Sequence, residues 1–486
     1  MPSRAGEGRP SPLSLELGAR GRELLGRRVE RALDLSRRSS SQAVASLSLP
    51  VPSALDPSAA VLGARRPDDL FFCFEQPGRD DRALAGLGSA AVVEARGAGR
   101  FTEAAEGLRS LGRRVVAGDG ADDPGAPPGS GPVLVGGFAF ADDGGSTPEW
   151  SSFPPGRLVL PEVSLARRGA DARLTVNVAV WPDDQPDEVV ERAEERLAEM
   201  RPSGMPLLDP DPVARPQVAS AAPPAHFEGA VARAVERIRA GELEKIVLAR
   251  EVRVHTRSGI DAGPIVDALR TVFPDCFCFC VGTPNAAFVG ASPELLVRRE
   301  GSRVGTMALA GTSRRSADPA VDDHLGERLR ASPKDAEEHR IVVDRIQRRL
   351  EPVSLWVTAA DQPVLVKVQN VQHLATPIRA QLASPRSVVE LAGLLHPTPA
   401  VGGEPREVAE PLIPALEGLD RGWYAGPVGW TDLSEDGEFC VGLRCALLEG
   451  PVAHLYAGNG IVADSDPSEE LAETEAKLQA LLPLFA

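Results

Sequence analysis

The chain is short of aromatic residues, of cysteine and of long apolar runs. Aromatics are 4% of its 486 residues, so a core has to be assembled mainly from Leu, Val, Ile and Ala. The arginine-rich start is broken up by glutamates and has no apolar segment of the kind that leads a protein out of the cytoplasm. Nor is there a run of the length that spans a bilayer. Positive charge is in deficit: the formal net charge is −16. This argues against a nucleic-acid partner and against anionic membrane surfaces. The six cysteines form neither a CxxC pair nor a zinc-ribbon spacing. Cys276, Cys278 and Cys280 alternate with Phe277 and Phe279, which puts the thiols on one face of a strand and the rings on the other. A buried, reduced strand in a cytoplasmic protein is expected, rather than a metal site.

What remains is ordinary for a soluble globular protein: 43% hydrophobic and 25% charged residues. Residues 1–45, an N-terminal extension, look partly helical and arginine-rich; a solvated or frayed stretch is the alternative. Residues 46–200 contain β-like runs at 70–74, 91–95, 132–141, 157–167 and 173–181, a Gly/Asp/Pro-rich loop at 117–131, and a helix ending before Pro202. Seven prolines between 201 and 224 mark a linker. From 225 to 486 the pattern is cleaner. A helical stripe (Phe227, Val231, Ala234, Val235, Ile238) ends at Gly241. A strand follows from Lys245, then a helix and strands through 263–313. Next come a long helix over 333–350, strands at 364–371 and 373–380, and a helix near 386–395. Strands at 423–431, 437–448 and 452–458 lead to a last helix. Strands joined by hairpin-length links predict antiparallel sheets, so the fold class is α/β of an α+β-like kind.

Two segments carry an unusual pattern. Ser332-Pro-Lys-Asp-Ala-Glu-Glu338-His and Asp466-Pro-Ser-Glu-Glu470-Leu-Ala-Glu473 both look like first helical turns, with Ser332 and Asp466 as N-caps and Pro333 and Pro467 next. Free N–H groups and the helix dipole make such turns tolerant of negative charge. Mg²⁺ takes oxygen ligands, often one or two carboxylates with waters and a substrate oxyanion. Glu338 and Glu473 together suit such an ion; two solvated acidic helix starts are the alternative.

Further blocks follow in order: Gly241-Glu-Leu-Glu-Lys245-Ile-Val-Leu-Ala-Arg250, Gly290-Ala-Ser-Pro-Glu294, Leu309-Ala-Gly-Thr312, His396-Pro-Thr-Pro-Ala-Val-Gly-Gly403 and Tyr456-Ala-Gly-Asn-Gly-Ile-Val462. With the two glutamate segments, this set resembles the chorismate-utilising enzymes, strongly over 225–486. The N-terminal part resembles them more weakly, through Val135-Gly-Gly-Phe-Ala-Phe140 and Leu158-Val-Leu-Pro161. The resemblance implies one interleaved body of large, mostly antiparallel sheets packed as a sandwich core with helices outside.

It also implies roles. Lys245 resembles the base that activates water; a lysine held near an apolar interior has a lowered pKa, which suits that task. Glu294 resembles the acid that protonates the departing C4 hydroxyl of chorismate, and an apolar setting raises a carboxyl's pKa. Glu338 and Glu473 would hold Mg²⁺, with Glu470 acting through a metal-bound water. Tyr424, Arg444, Gly458 and Gly460 match residues around the enolpyruvyl carboxylate. Gly311 and Thr312 match a loop beside the ring carboxylate, Lys477 would meet a substrate carboxylate, and His373 lies near the ring. For each, a local reading stays open: a snorkelling lysine, a turn glutamate, a surface ion-pair ladder, a structural histidine. Asn459 stands where the family usually has alanine, and Gly442 where it has a larger residue.

Anthranilate-type relatives use ammonia from a glutaminase partner and lack the lysine. Aminodeoxychorismate-type relatives carry a lysine in the block that here reads Ala308-Leu-Ala-Gly-Thr312. The resemblance therefore implies an isochorismate synthase with water as nucleophile, Mg²⁺ as cofactor, chorismate as substrate and no glutaminase subunit. A salicylate synthase, which goes on to eliminate pyruvate, is the alternative reading. A catalytically silent scaffold homologue is a third, disfavoured by the presence of every proposed catalytic group.

Overall fold

In the computed structural model, residues 15–118, 125–200, 204–205, 207–208 and 216–485 are described. Among them, twenty-three strands form two sheets, one of thirteen strands and one of ten. Neighbouring strands pair antiparallel, except Ala43–Pro50 with Val115–Val116. The two sheets face each other. Phe72 and Val281 of the larger sheet and Val135 and Val159 of the smaller line one narrow apolar gap with Trp423. The expected sandwich with outer helices is the observed architecture.

Strand alternation sorts side chains between two cores. In strand Phe277–Gly282, Phe277 and Phe279 enter the core that contains Phe288 and Phe439. Cys278 and Cys280 enter the other, with Ile265 and Leu269 of helix Ala262–Val272. Strand Phe71–Gln76 beside it does the same with Phe72 and Phe74 against Phe71 and Cys73. With few aromatics available, the phenyl rings concentrate between the sheets, where each buries the most area. All six cysteines are free and buried.

Both sheets run through both halves of the chain. Phe71–Gln76 pairs with Phe277–Gly282, and Val133–Phe138 pairs with Pro427–Asp432. The proline-rich stretch therefore does not divide the sheets. Of that stretch, residues 201–203, 206 and 209–215 lie outside the described residues, and its end is an edge strand, Gln217–Ser220, on Val252–His255.

Several expectations are corrected. In the N-terminal extension, residues 1–14 lie outside the described residues, and Gly18–Ser39 is a helix, as the partly helical pattern suggests, but it is docked rather than solvated. Most of its arginines face out, while Gly21, Leu25, Val29, Ala32 and Leu33 form a 3.6-residue stripe buried against strand Ala43–Pro50 and helix Pro186–Glu199. The helices Pro319–Ala331 and Arg406–Glu417 and the strand Ser354–Ala359 were not anticipated. Two internal prolines, Pro411 and Pro414, hide the second helix from a pattern reading. Part of the loop at 117–131 (119–124) lies outside the described residues.

The most consequential correction concerns 437–448, expected as one strand. It is two, Gly437–Val441 in the smaller sheet and Cys445–Glu449 in the larger. The neighbouring chain does the same in reverse: Ala286–Ser292 lies in the larger sheet and Leu295–Glu300 in the smaller. The paired strands thus cross between sheets at one level, through Pro293-Glu294 and Gly442-Leu443-Arg444. Main-chain bonds Ala291 N–H to Arg444 O (3.0 Å) and Val441 N–H to Glu294 O (3.1 Å) stitch the crossing. A Cβ on Gly442 would stand 2.9 Å from the Trp423 carbonyl oxygen, so only glycine passes there.

Because the N-terminal helix is part of a core, Leu25→Ala is expected to destabilise the protein by about 2–5 kcal/mol. Denaturant unfolding monitored by circular dichroism measures it, and an unchanged midpoint would show that the helix is dispensable.

Candidate active site

The crossing opens a cavity lined by Glu294, Gly311, Thr312, Glu338, His373, Tyr424, Arg444, Gly458, Gly460, Glu470, Glu473 and Lys477. Every site residue expected from the sequence is in this lining except Lys245. Lys245 starts strand Lys245–His255, is fully buried, and reaches Glu338 Oε1 with its Nζ at 2.9 Å, outside hydrogen-bond alignment. The structure thus gathers all thirteen residues at one place from both sheets and two helix tips.

Each position has a local cause. Strand Val452–Ile461 pairs with the lysine strand, Gly460 opposite Val247 and Gly458 opposite Ala249. A Cβ on Gly460 would overlap the Glu338 carboxylate and stand 2.7 Å from Lys245 Cε, so the missing side chain is what lets lysine and glutamate meet. In the smaller sheet Thr312 pairs with His373 after a bulge at Gly311, whose φ is +77°. The chain's two tyrosines, Tyr424 and Tyr456, stack with centroids 5.1 Å apart on the cavity wall. The helix starts form as their caps predict: Ser332 accepts from Asp335 N–H at the head of Pro333–Leu350, and Asp466 from Ser468 and Glu469 N–H at the head of Pro467–Leu478.

The electrostatics separate two groups of side chains. Glu294 is buried, and burial pushes its carboxyl up to about 8, against the opposing pull of Lys245 and the Thr398 hydroxyl. At neutral pH it is mainly the protonated acid. Burial, with Arg444 and Lys477 adding to it, holds the His373 imidazole well below its usual range. The neutral ring has a defined tautomer. Arg444 Nη2 only donates, at 2.6 Å, so His373 Nε2 accepts, and Nδ1–H is left to donate to the Gly311 carbonyl oxygen at 3.3 Å with Thr312 Oγ1 at 3.1 Å. Arg444 is itself left-handed, φ +46°, and its buried Nη1 has no partner among the described residues. A buried guanidinium that none of the described carboxylates pairs with, held in a strained backbone, is poised for an anion.

The acidic group is neutralised internally. Lys245 pairs with Glu338 at 2.9 Å, Lys334 with Glu470 at 3.1 Å, and Lys477 with Glu473 at 2.9 Å. Burial and the Glu473 charge raise the Glu470 carboxyl. Asn459, flagged from the sequence only as a departure, bridges this group: its Nδ2 donates to Glu470 O (2.6 Å) and Oε2 (3.1 Å), and its Oδ1 accepts from Lys477 Nζ (2.8 Å). Among the described residues no three His, Cys, Asp or Glu side chains form a ready-made metal cage. The oxygen-only donors on two helix tips nonetheless fit a hard divalent ion whose shell waters and a substrate would complete.

Sequence reasoning missed Lys334, Asp335, Thr398, Leu443 and Tyr456, all of which line or adjoin the cavity. A signal for the first was available. The chain has only four lysines, and three of them stand here.

Residues 28–486 match the family model of the chorismate binding enzymes. The chain belongs to that family. It is 38% identical over 415 residues to the salicylate biosynthesis isochorismate synthase of Pseudomonas aeruginosa, covering 84% of this chain and 83% of the relative. Over 358 residues it is 36% identical to the isochorismate synthase MenF of Bacillus subtilis, covering 72% and 74%. Among solved structures, MenF, the menaquinone-specific isochorismate synthase from Escherichia coli, superposes with a TM-score of 0.77 at 28% identity, covering 94% of this chain and all of that one. A component I of anthranilate synthase from Streptococcus pneumoniae, 21% identical with a TM-score of 0.61, shares the fold.

Gly460→Ala is expected to lower kcat/KM of this chorismate-binding enzyme at least about tenfold, the effect of roughly 1.4 kcal/mol at the transition state, while the fold survives. Steady-state kinetics with a circular dichroism control test it; wild-type kinetics would mean the close approach at Gly460 is not needed.

Proposed function

We infer that this chain is an isochorismate synthase, an isomerase acting on chorismate. The reading is carried by one juxtaposition: a carboxyl kept protonated by burial, an amine one ion pair away from the same cavity, and an unpaired buried guanidinium on its wall. Those are an acid, a base and an anion anchor, which an exchange of hydroxyl groups on an anionic ring requires.

In this proposal Arg444, with Tyr424 and the backbone at Gly458 and Gly460, holds the enolpyruvyl carboxylate. Gly311, Thr312 and Lys477 approach the ring carboxylate, and His373 fixes Arg444 by accepting its Nη2–H. Lys245 takes a proton from a water molecule as the water oxygen bonds to C2. The ring double bond shifts, and Glu294 gives its proton to the C4 hydroxyl, which leaves as water. Glu338 and Glu473 are the residues that would hold Mg²⁺, with Glu470 behind them; when bound, such an ion supplies positive charge for the ring carboxylate. The local cations offset an overall charge of −16, which by itself repels a dianion.

Water, not ammonia, is the proposed nucleophile, so no glutaminase partner is required. Six free buried thiols suit a reducing cytoplasm. Among the described residues no helix is long and apolar enough to cross a membrane.

The deciding experiment is product analysis with chorismate and Mg²⁺. Isochorismate without pyruvate is expected; salicylate with equimolar pyruvate would replace the proposal by a salicylate synthase. Lys245→Ala should abolish isochorismate formation with the fold intact, and turnover at the wild-type rate would remove Lys245 as the base. Glu294 works protonated, so the rate should decline as pH rises through about 8. Glu294→Gln should lower kcat by about 10²–10⁴-fold and flatten that limb. An alkaline limb unchanged in the variant would assign it to another group.

A further inference from the structure

Lysine is rare in this chain: four residues, Lys245, Lys334, Lys367 and Lys477, with arginine supplying the rest of the positive charge. Three of the four meet at the active-site cavity, each against one glutamate. Two of these ammonium groups are fixed. Lys245 is fully buried behind Gly460. Lys477 is anchored by the Gly458 carbonyl oxygen at 2.9 Å and Asn459 Oδ1 at 2.8 Å, besides Glu473.

Lys334 is different. Among the described residues it pairs with Glu470 alone, and its side chain is 35% exposed where that of Glu470 is 4%. Its head can therefore swing into solvent on its flexible stem while the carboxylate stays. Glu470 stays held meanwhile, because Asn459 Nδ2 remains bonded to it. Lys334 is also the second residue of helix Pro333–Leu350, where the positive end of the dipole disfavours an ammonium. What offsets that cost is the set of carboxylates it faces: Glu470 first, then Glu338 and Glu473. These are the same three carboxylates assigned above to a divalent cation.

We propose that Lys334 is a tethered, displaceable counter-cation: it neutralises the carboxylate cluster of the metal-free enzyme and gives way when a divalent cation binds there. The inference rests on the cation reading above. The identity of the residue follows from the role. An ammonium makes a point contact that an ion can replace, whereas a guanidinium would clamp Glu470 with two parallel hydrogen bonds and compete far better.

The test uses the full chain stripped of metal, with Mg²⁺ alone as the probe, read by titration calorimetry and by the thermal midpoint. Lys334→Met is expected to lower Tm of the metal-free protein and to tighten Mg²⁺ binding by about tenfold, since one competing charge is gone. Lys334→Arg is expected to keep the metal-free Tm and to weaken Mg²⁺ binding. Lys334→Gln replaces the methionine variant if the latter fails to fold. If wild type binds Mg²⁺ saturably and as tightly as Lys334→Met or more tightly, the lysine does not compete with the ion, and the proposal is overturned. Restoration of wild-type affinity by Lys334→Arg also overturns it, as that is what a purely structural pair predicts. A wild-type protein with no saturable Mg²⁺ site overturns the cation reading itself, and the counter-cation with it.

Discussion

The site depends on one constraint: a pair of neighbouring strands must leave one sheet and enter the other at the same level. Inside a sheet, Glu294 and Arg444 would be committed to one face of a ladder. At the crossing their backbones serve each other, through Ala291 N–H to Arg444 O and Val441 N–H to Glu294 O, while their side chains are released into the space between the layers. A polar cavity can exist in an otherwise apolar sandwich because its main-chain groups are already satisfied. The glycine at 442 and the left-handed backbone at Arg444 are the local cost of that route.

Around the crossing, charge is handled in two ways. On the carboxyl side of the reaction, groups are kept neutral: Glu294 by burial, His373 by burial and its cationic neighbours. On the other side, charges are retained and paired, each glutamate with a lysine. A buried carboxylate without a partner is costly, so the helix tips, the lysines and Asn459 together allow three of them in one cavity. Arg444 is the exception, a buried cation with no carboxylate partner among the described residues.

Behind the cavity, Arg421 ties the walls together. It is buried against Glu417 and donates to the carbonyl oxygens of Val247 (3.0 Å) and Val401 (2.8 Å), while its guanidinium stacks on Phe140. Glu417 in turn accepts the Ala249 N–H at 2.6 Å. The lysine strand and the segment that carries Thr398 are thus fixed to one ion pair. This network was invisible in the sequence, since nothing in Glu417-Gly-Leu-Asp-Arg421 distinguishes it from a charged loop.

Local pattern was enough for much of the rest. The capped glutamate helices, the alternating Cys/Phe strand and the start of the lysine strand follow from spacing and caps, because 3.6- and 2-residue periods and N-cap chemistry act over a few residues. Ordered motifs over 225–486 pointed to the family, and thereby to the thirteen residues that the fold gathers. Local pattern failed where long-range packing set the outcome. The arginine-rich helix Gly18–Ser39 is docked by one apolar stripe, the strand expected over 437–448 is broken by a change of sheet, and Lys334 and Thr398 matter only for what they face. Composition and periodicity determined the elements and their chemistry. Lys477 meets Glu473 one helical turn away, but which element lies beside which, and so that Lys245 meets Glu338 and Lys334 meets Glu470, was decided by the tertiary structure, because those residues stand 93 and 136 positions apart and no local energy encodes the contact.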